Sequence, residues 1–202
     1  TLAIAAANPV FQANSLMFQG AILGSKQPDE AIRTYEAITA IKGIPAFQNR
    51  EAVLKIAALY VGQTRLTNAI HRLENYARQN PQDLDSDIVR LTLAELNLKR
   101  FYALSEKASP TDLQRNWGAI TNTLREARTH LDFVINTLTN SLQAGKAYLR
   151  RGWCSWEEAR LLGPPGRFTD GQRDFQTAAE RLPVSDDQLE AWFKTADCQF
   201  EL

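Results

Sequence analysis

The chain has 202 residues, 44% of them hydrophobic, and sets 23 Lys plus Arg against 23 Asp plus Glu, a formal net charge of zero. That length fits one elongated domain or two small ones, and the apolar fraction can build a core. With no net field there is no long-range attraction to DNA, RNA or acidic lipid. No apolar run approaches the roughly 20 residues that cross a bilayer, and two cysteines are too few for a disulfide framework. Thr1–Ala7 is apolar, lacks Met and a basic leader, and reads as a trimmed or engineered beginning, with no signal peptide visible.

Val10–Gly24 reads as a first helix, with Phe11, Leu16, Phe18 and Ile22 apolar and Gly20 small. Pro28 opens a second at its first turn, with Asp29 and Glu30 suited to the positive helix end. Ala31, Tyr35 and Ile38 make its stripe, stopped by Gly43 and Pro45. Asn49 is the expected cap of a third helix, in which Val53, Ile56 and Tyr60 share a face with Ala57 beside them. Gly62 ends that helix and Thr64 is placed to cap the next. Leu66, Ala69, Ile70, Leu73 and Tyr76 form the next apolar face before Pro81 turns the chain.

Asp85 or Ser86 starts a long helix carrying Ile88, Leu91, Leu93, Ala94, Leu98, Phe101 and Leu104. Ser109-Pro110-Thr111-Asp112 is a helix start, with a capping residue, Pro at the first position and an acid that reaches back. Leu113, Trp117, Ile120, Leu124, Ala127, Leu131, Val134 and Leu138 then alternate steps of four and three, a heptad seam. It either packs against the preceding helix or dimerises; one seam must already cover its neighbour, which favours the internal reading. Thr139-Asn140-Ser141 is the expected break. Leu142–Leu162 carries Tyr148, Leu149, Trp153, Trp156 and Leu161 up to Gly163-Pro164-Pro165-Gly166. Thr169 with Gln172, and Ser185 with Gln188, read as capping boxes. The helices they open bear Phe175, Ala178, Ala179 and Leu182, ended by Pro183, and then Leu189, Trp192, Phe193, Ala196 and Phe200.

The small and large residues of Val53–Pro81 stand at the intervals of a known repeat, and the chain resembles the tetratricopeptide repeat family. Ala57 and Ala69 hold the small places, while Val53 and Leu73 replace the usual aromatics. The likeness is good at Val53–Pro81, fair at Val10–Gly43 and Phe175–Leu202, and poor at Ser86–Asn140, where the helices are longer. It implies an all-α fold, a right-handed αα superhelix of antiparallel pairs. A single helical-repeat domain over residues 1–202 follows, of about four helix pairs plus a terminal helix. That helix either caps the solenoid or shows the chain to be a fragment of a longer protein.

The resemblance also implies where a partner sits. In the family the first helices line the concave face, which residues three before and four after the small residue approach. With Gly20, Ala57, Ala94, Gly152 and Ala196 as small residues, these are Met17, Leu54, Leu91, Leu149 and Phe193, then Gly24, Val61, Leu98, Trp156 and Phe200. All are apolar or glycine, whereas a terminal carboxylate needs Lys, Arg and Asn donors. The expected partner is an apolar or amphipathic helical segment or a protein surface; otherwise these side chains only fill space between first helices. The expected function is a non-catalytic interaction scaffold. The alternatives are a structural or assembly subunit of the bacterial cell envelope and a helical accessory domain of a larger enzyme.

Catalytic signals are few. His71 and His130 each lack a second ligand at metal spacing, and no phosphate cradle or nucleophile elbow stands in the sequence. Glu157 and Glu158 read as a solvated face and Arg150-Arg151 as surface. Pro164-Pro165 lacks the spacing of an SH3 ligand. Cys154 and Cys198 stand at matching places, either as buried free thiols or as a bridge. No catalytic residue, cofactor or metal is expected, the partners are protein or peptide and not nucleic acid, and the oligomeric state stays open.

Overall fold

The structure, a computed structural model, describes residues 8–81, 83, 85–106, 108–138, 140–162 and 166–202. The expected features at Thr1–Ala7, at Thr139 and at Gly163-Pro164-Pro165 lie outside the described residues. Among the described residues the regular structure is all helical: α1 Pro9–Leu23, α2 Pro28–Thr39, α3 Ala46–Gly62, α4 Leu66–Gln79, α5 Asp87–Ser105, α6 Pro110–Thr137, α7 Ala144–Leu162, α8 Gly166–Arg181 and α9 Asp186–Glu201. The chain divides into two compact units, Thr1–Val89 and Arg90–Leu202, the boundary falling near the start of α5.

In the first unit Asn8 caps α1, its Oδ1 accepting from the amides of Val10 at 2.9 Å and Phe11 at 3.3 Å. The helix buries its small residues, Ala13 and Gly20, and leaves Phe11, Phe18 and Ile22 exposed. The reason lies across the hairpin: a Cβ on Gly20 would stand 2.6 Å from the Tyr35 ring, so α1 and α2 meet backbone to ring. α3 begins at Ala46 behind Pro45, so Asn49 sits inside the helix rather than at its cap. Thr64 does not cap α4 either. It takes a left-handed φ of 59°, its N–H donates to Val61 O at 3.0 Å, and the Arg65 N–H donates to Tyr60 O at 2.8 Å. That pair of bonds is a Schellman closure of α3, with Thr64 in the place glycine usually takes. Arg65–Asp29 and Arg72–Glu36 both span 36 residues, so α2 and α4 run in parallel as successive second helices.

In the second unit Ser109 caps α6. The heptad seam is internal: Ile120, Leu124, Ala127, Leu131 and Val134 pack with Leu91, Ala94, Leu98 and Phe101 of α5 and with Ala147 and Cys154 of α7. α7 and α8 are antiparallel, since Gly145 lies by Leu182, Gly152 by Phe175 and Gly171 by Ser155. A Cβ on Gly152 would stand 2.7 Å from the Phe175 ring, repeating the Gly20–Tyr35 contact. α8 starts at Gly166, which puts Thr169 within the helix instead of at its cap. Ser185 does cap α9, accepting from Gln188 N at 3.3 Å. Its expected box partner turns the other way: Gln188 Nε2 donates to Ala179 O at 2.8 Å and Leu182 O at 3.0 Å, closing the end of α8. α9 buries Ala191, Thr195 and Cys198, while Ala196 is exposed, so the inward register begins five residues earlier than the small-residue pattern placed it. Close helix packing selected the small side chains of α9 and turned its large ones out.

Candidate functional site

The first helices of the second unit, α5, α7 and α9, enclose a hollow of about 430 Å³ lined by Glu95, Leu98, Lys99, Tyr102, Arg150, Trp153 and Glu190. The α5 residues follow i, i+3, i+4, i+7, and Arg150 and Trp153 follow i, i+3, so each helix presents a single face to it. Leu98 and the Tyr102 and Trp153 rings give the apolar wall. The rim is built around one guanidinium. Arg150 meets Glu95 at 3.2 Å, Asp187 at 3.4 Å and Glu190 at 3.8 Å, and Lys146 lies 3.9 Å from Asp187. The Trp153 indole N–H donates to Glu190 as well, which fixes the ring plane.

A second layer holds these side chains. Tyr102 donates to Glu157 Oε1 at 3.2 Å, and Glu157 also meets Arg160 at 3.1 Å. Burial and the neighbouring Glu157 raise the Tyr102 phenol, and burial raises the Glu157 carboxyl. Trp153 stands edge-on to Phe175 at 6.0 Å, and Trp156 edge-on to Phe168 at 5.1 Å. Lys194 lies 4.7 Å from the Trp153 ring and 4.3 Å from the Trp156 ring, with Asp197 at 2.8 Å. Apolar surface framed by mutually neutralised charges is suited to holding a side chain of another molecule by burial and orienting it by hydrogen bonds.

Of the ten positions expected from the sequence to face a partner, Leu98 alone lines this hollow. Leu91, Leu149 and Trp156 are buried in the helix cores. Met17, Leu54 and Val61 are half-buried in the first unit, and Gly24 is the C-terminal cap of α1. Phe193 and Phe200 are exposed on α9, at 67% and 90%. The lining residues that were missed, Glu95, Lys99, Tyr102, Arg150, Trp153 and Glu190, carry a sequence signal in their helical spacing, but most are polar and an apolar search passes over them.

Two polar readings are corrected. Glu157 is buried and Glu158 half-buried between Arg128 at 3.0 Å and Arg167 at 3.2 Å, so neither belongs to a solvated face. Arg150 and Arg151 are network residues rather than surface. Arg151 grips Asp174 through Nε at 2.8 Å and Nη2 at 2.7 Å, and reaches Asp132 at 2.8 Å. Elsewhere in the unit Arg90 Nη1 donates to His130 Nδ1 at 3.2 Å, its guanidinium 4.4 Å from the Phe133 ring. His71 is exposed beside Asn75. Cys154 and Cys198 are free and buried, and burial pushes their thiols up to about 12 and about 11. Among the described residues no group of three His, Cys, Asp or Glu is placed to hold a metal, and no helix is long and apolar enough to cross a membrane.

No family model and no curated protein matches the chain. Among solved structures, one described as the crystal structure of MamA protein is 19% identical over 94% of this chain and 93% of that chain, with a TM-score of 0.46. Another, described as the crystal structure of MamA, is 17% identical over 90% and 93%, with a TM-score of 0.42.

Proposed function

We propose that the chain is a non-catalytic protein-interaction scaffold, and that the hollow on α5, α7 and α9 seats an apolar side chain of a partner segment. The reading rests on the composition of that hollow, where Leu98, Tyr102 and Trp153 form an apolar wall within a rim of paired charges. A space of about 430 Å³ takes one or two large side chains and not a whole helix, whose diameter is about 10–12 Å. The occupant is therefore an anchor residue on a peptide or a protein surface, with Glu95 and Glu190 beside it as acceptors. Every ionisable rim group named above except Lys99 has an opposite charge within 4 Å, which suits recognition better than proton transfer.

The test is peptide selection on the purified chain. Selected peptides should share an aromatic or large aliphatic residue. Trp153→Ala, with helicity checked by circular dichroism, should weaken them by at least about 10-fold, the loss expected of an interface anchor. Selected peptides that bind Trp153→Ala as well as the parent would sink the reading.

A further inference from the structure

Helix α9 has two apolar faces. Ala191, Thr195 and Cys198 face inward. Leu189, Phe193, Ala196 and Phe200 follow i, i+4, i+7, i+11 on the other side, with Trp192 alongside. Leu189, Trp192, Phe193 and Phe200 are 66%, 49%, 67% and 90% exposed. An outer stripe of this kind on a helix already packed inward marks an interaction surface.

The charges of α9 say what fits it. Its sequence, DDQLEAWFKTADCQFE, holds five acids and one lysine. Asp186, Glu190, Asp197 and Glu201 follow i, i+4, i+11, i+15, a ridge along one edge of the stripe, whereas the opposite edge carries Gln188 and Gln199. Within the ridge Asp197 is met by the lone cation, Lys194, at 2.8 Å and Glu190 by Arg150 at 3.8 Å, so its free charge rests on Asp186 and Glu201, which no ion pair among the described residues engages. The edge is therefore acidic beside an apolar stripe that keeps helical period along its whole length.

We propose that this outer face of α9 docks an amphipathic helix of a partner protein, one whose apolar stripe is bordered on one side by Lys or Arg. The matching period lets ridges of the partner enter grooves of α9, and the basic border meets Asp186 and Glu201 at the two ends of the ridge. A second copy of α9 would bring a second acidic edge with no cation to meet it, and an acidic membrane surface would be repelled. The inference does not depend on the hollow described above: Asp186, Glu201 and the stripe of Leu189, Phe193 and Phe200 all lie outside its lining.

Two labelled 18-residue helical peptides test it, identical in their leucine stripe, one with lysines along one border and the other with glutamates there. By fluorescence anisotropy at low salt the lysine peptide should bind at least about 10-fold tighter, and the gap should shrink below about 3-fold near 0.5 M salt as the charges are screened. Leu189→Glu with Phe200→Glu, both exposed positions, should abolish binding at unchanged helicity. Asp186→Lys with Glu201→Lys should reverse the preference. Absence of saturable binding, equal affinity for the two peptides, or binding that survives Leu189→Glu/Phe200→Glu overturns the proposal. So does a dimer in sedimentation, or flotation with phosphatidylcholine vesicles, that this double variant abolishes; these would assign the stripe to a second copy or to lipid.

Discussion

Arg151 and Arg90 sit in the same unit, both partly buried, and are treated in opposite ways. Burial works to lower the Arg151 pKa, but the hydrogen bonds it donates to Asp174 and Asp132 outweigh it and the guanidinium is held charged more firmly than in water. Arg90 also pays a burial cost and has no carboxylate among its described partners. It meets the neutral His130 and the Phe133 ring, its Nε is buried without a hydrogen bond, and burial lowers its pKa. A guanidinium is therefore no fixed contribution to a helical stack. Its sign depends on whether the facing helices supply carboxylates, and here α6 and α8 supply them to Arg151.

That contrast can be broken from either side. Asp174, with only 4% of its side chain exposed, is the bidentate partner of Arg151. Asp174→Ala should cost the most, about 3–5 kcal/mol in urea unfolding, because a buried cation loses its main partner. A loss below about 1 kcal/mol would mean that Asp132 alone suffices. The next largest effect is a pH dependence at the other site. Burial, and then the Arg90 charge, push the His130 imidazole down to about 4 from 6.5. Between those values the unfolded chain binds the proton and the folded one does not. Stability is thus full above pH 6.5 and should fall by roughly 2–3 kcal/mol as pH drops toward 4. His130→Gln should remove that part of the slope, read as the difference between the two proteins so that carboxylate titration cancels. Smallest is Arg90→Met, which keeps the stem packing and removes an unpaired charge. Its stability should lie within about 1 kcal/mol of the parent or above it, and NMR should show the His130 pKa moving upward while staying below 6.5.

The hairpin of α3 and α4 was legible because its signals are local. Val53, Ile56, Ala57, Ala69, Leu73 and Tyr76 all follow one period and all are buried. Caps stated by one residue and its neighbour, Pro28, Ser109 and Ser185, also came through. The α6 seam is internal for the reason the sequence offered, that a single seam must cover the neighbouring helix. What failed depended on distant residues. Thr64 looks like a cap until the Schellman bonds of α3 claim it. Arg150 looks like surface until Glu95, 55 residues before it, and Asp187, 37 after, are placed beside it. Those two offsets differ because α6 is long, and no local pattern states by how much. In α9 the larger residues outshone Ala191, although the smaller ones make the closer contact.

The glycines under the Tyr35 and Phe175 rings bear on how this sequence can drift. Neither member of such a pair can change freely alone: a methyl group on Gly20 or Gly152 collides with the ring, and a smaller side chain in place of the ring leaves a void. The hairpin of α3 and α4 carries Ala57 and Leu73, both buried, in place of a glycine and a ring. The two kinds of hairpin thus stand as alternative solutions separated by a double substitution. Each single step between them costs stability that the double step recovers, so the effects of the two substitutions are not additive.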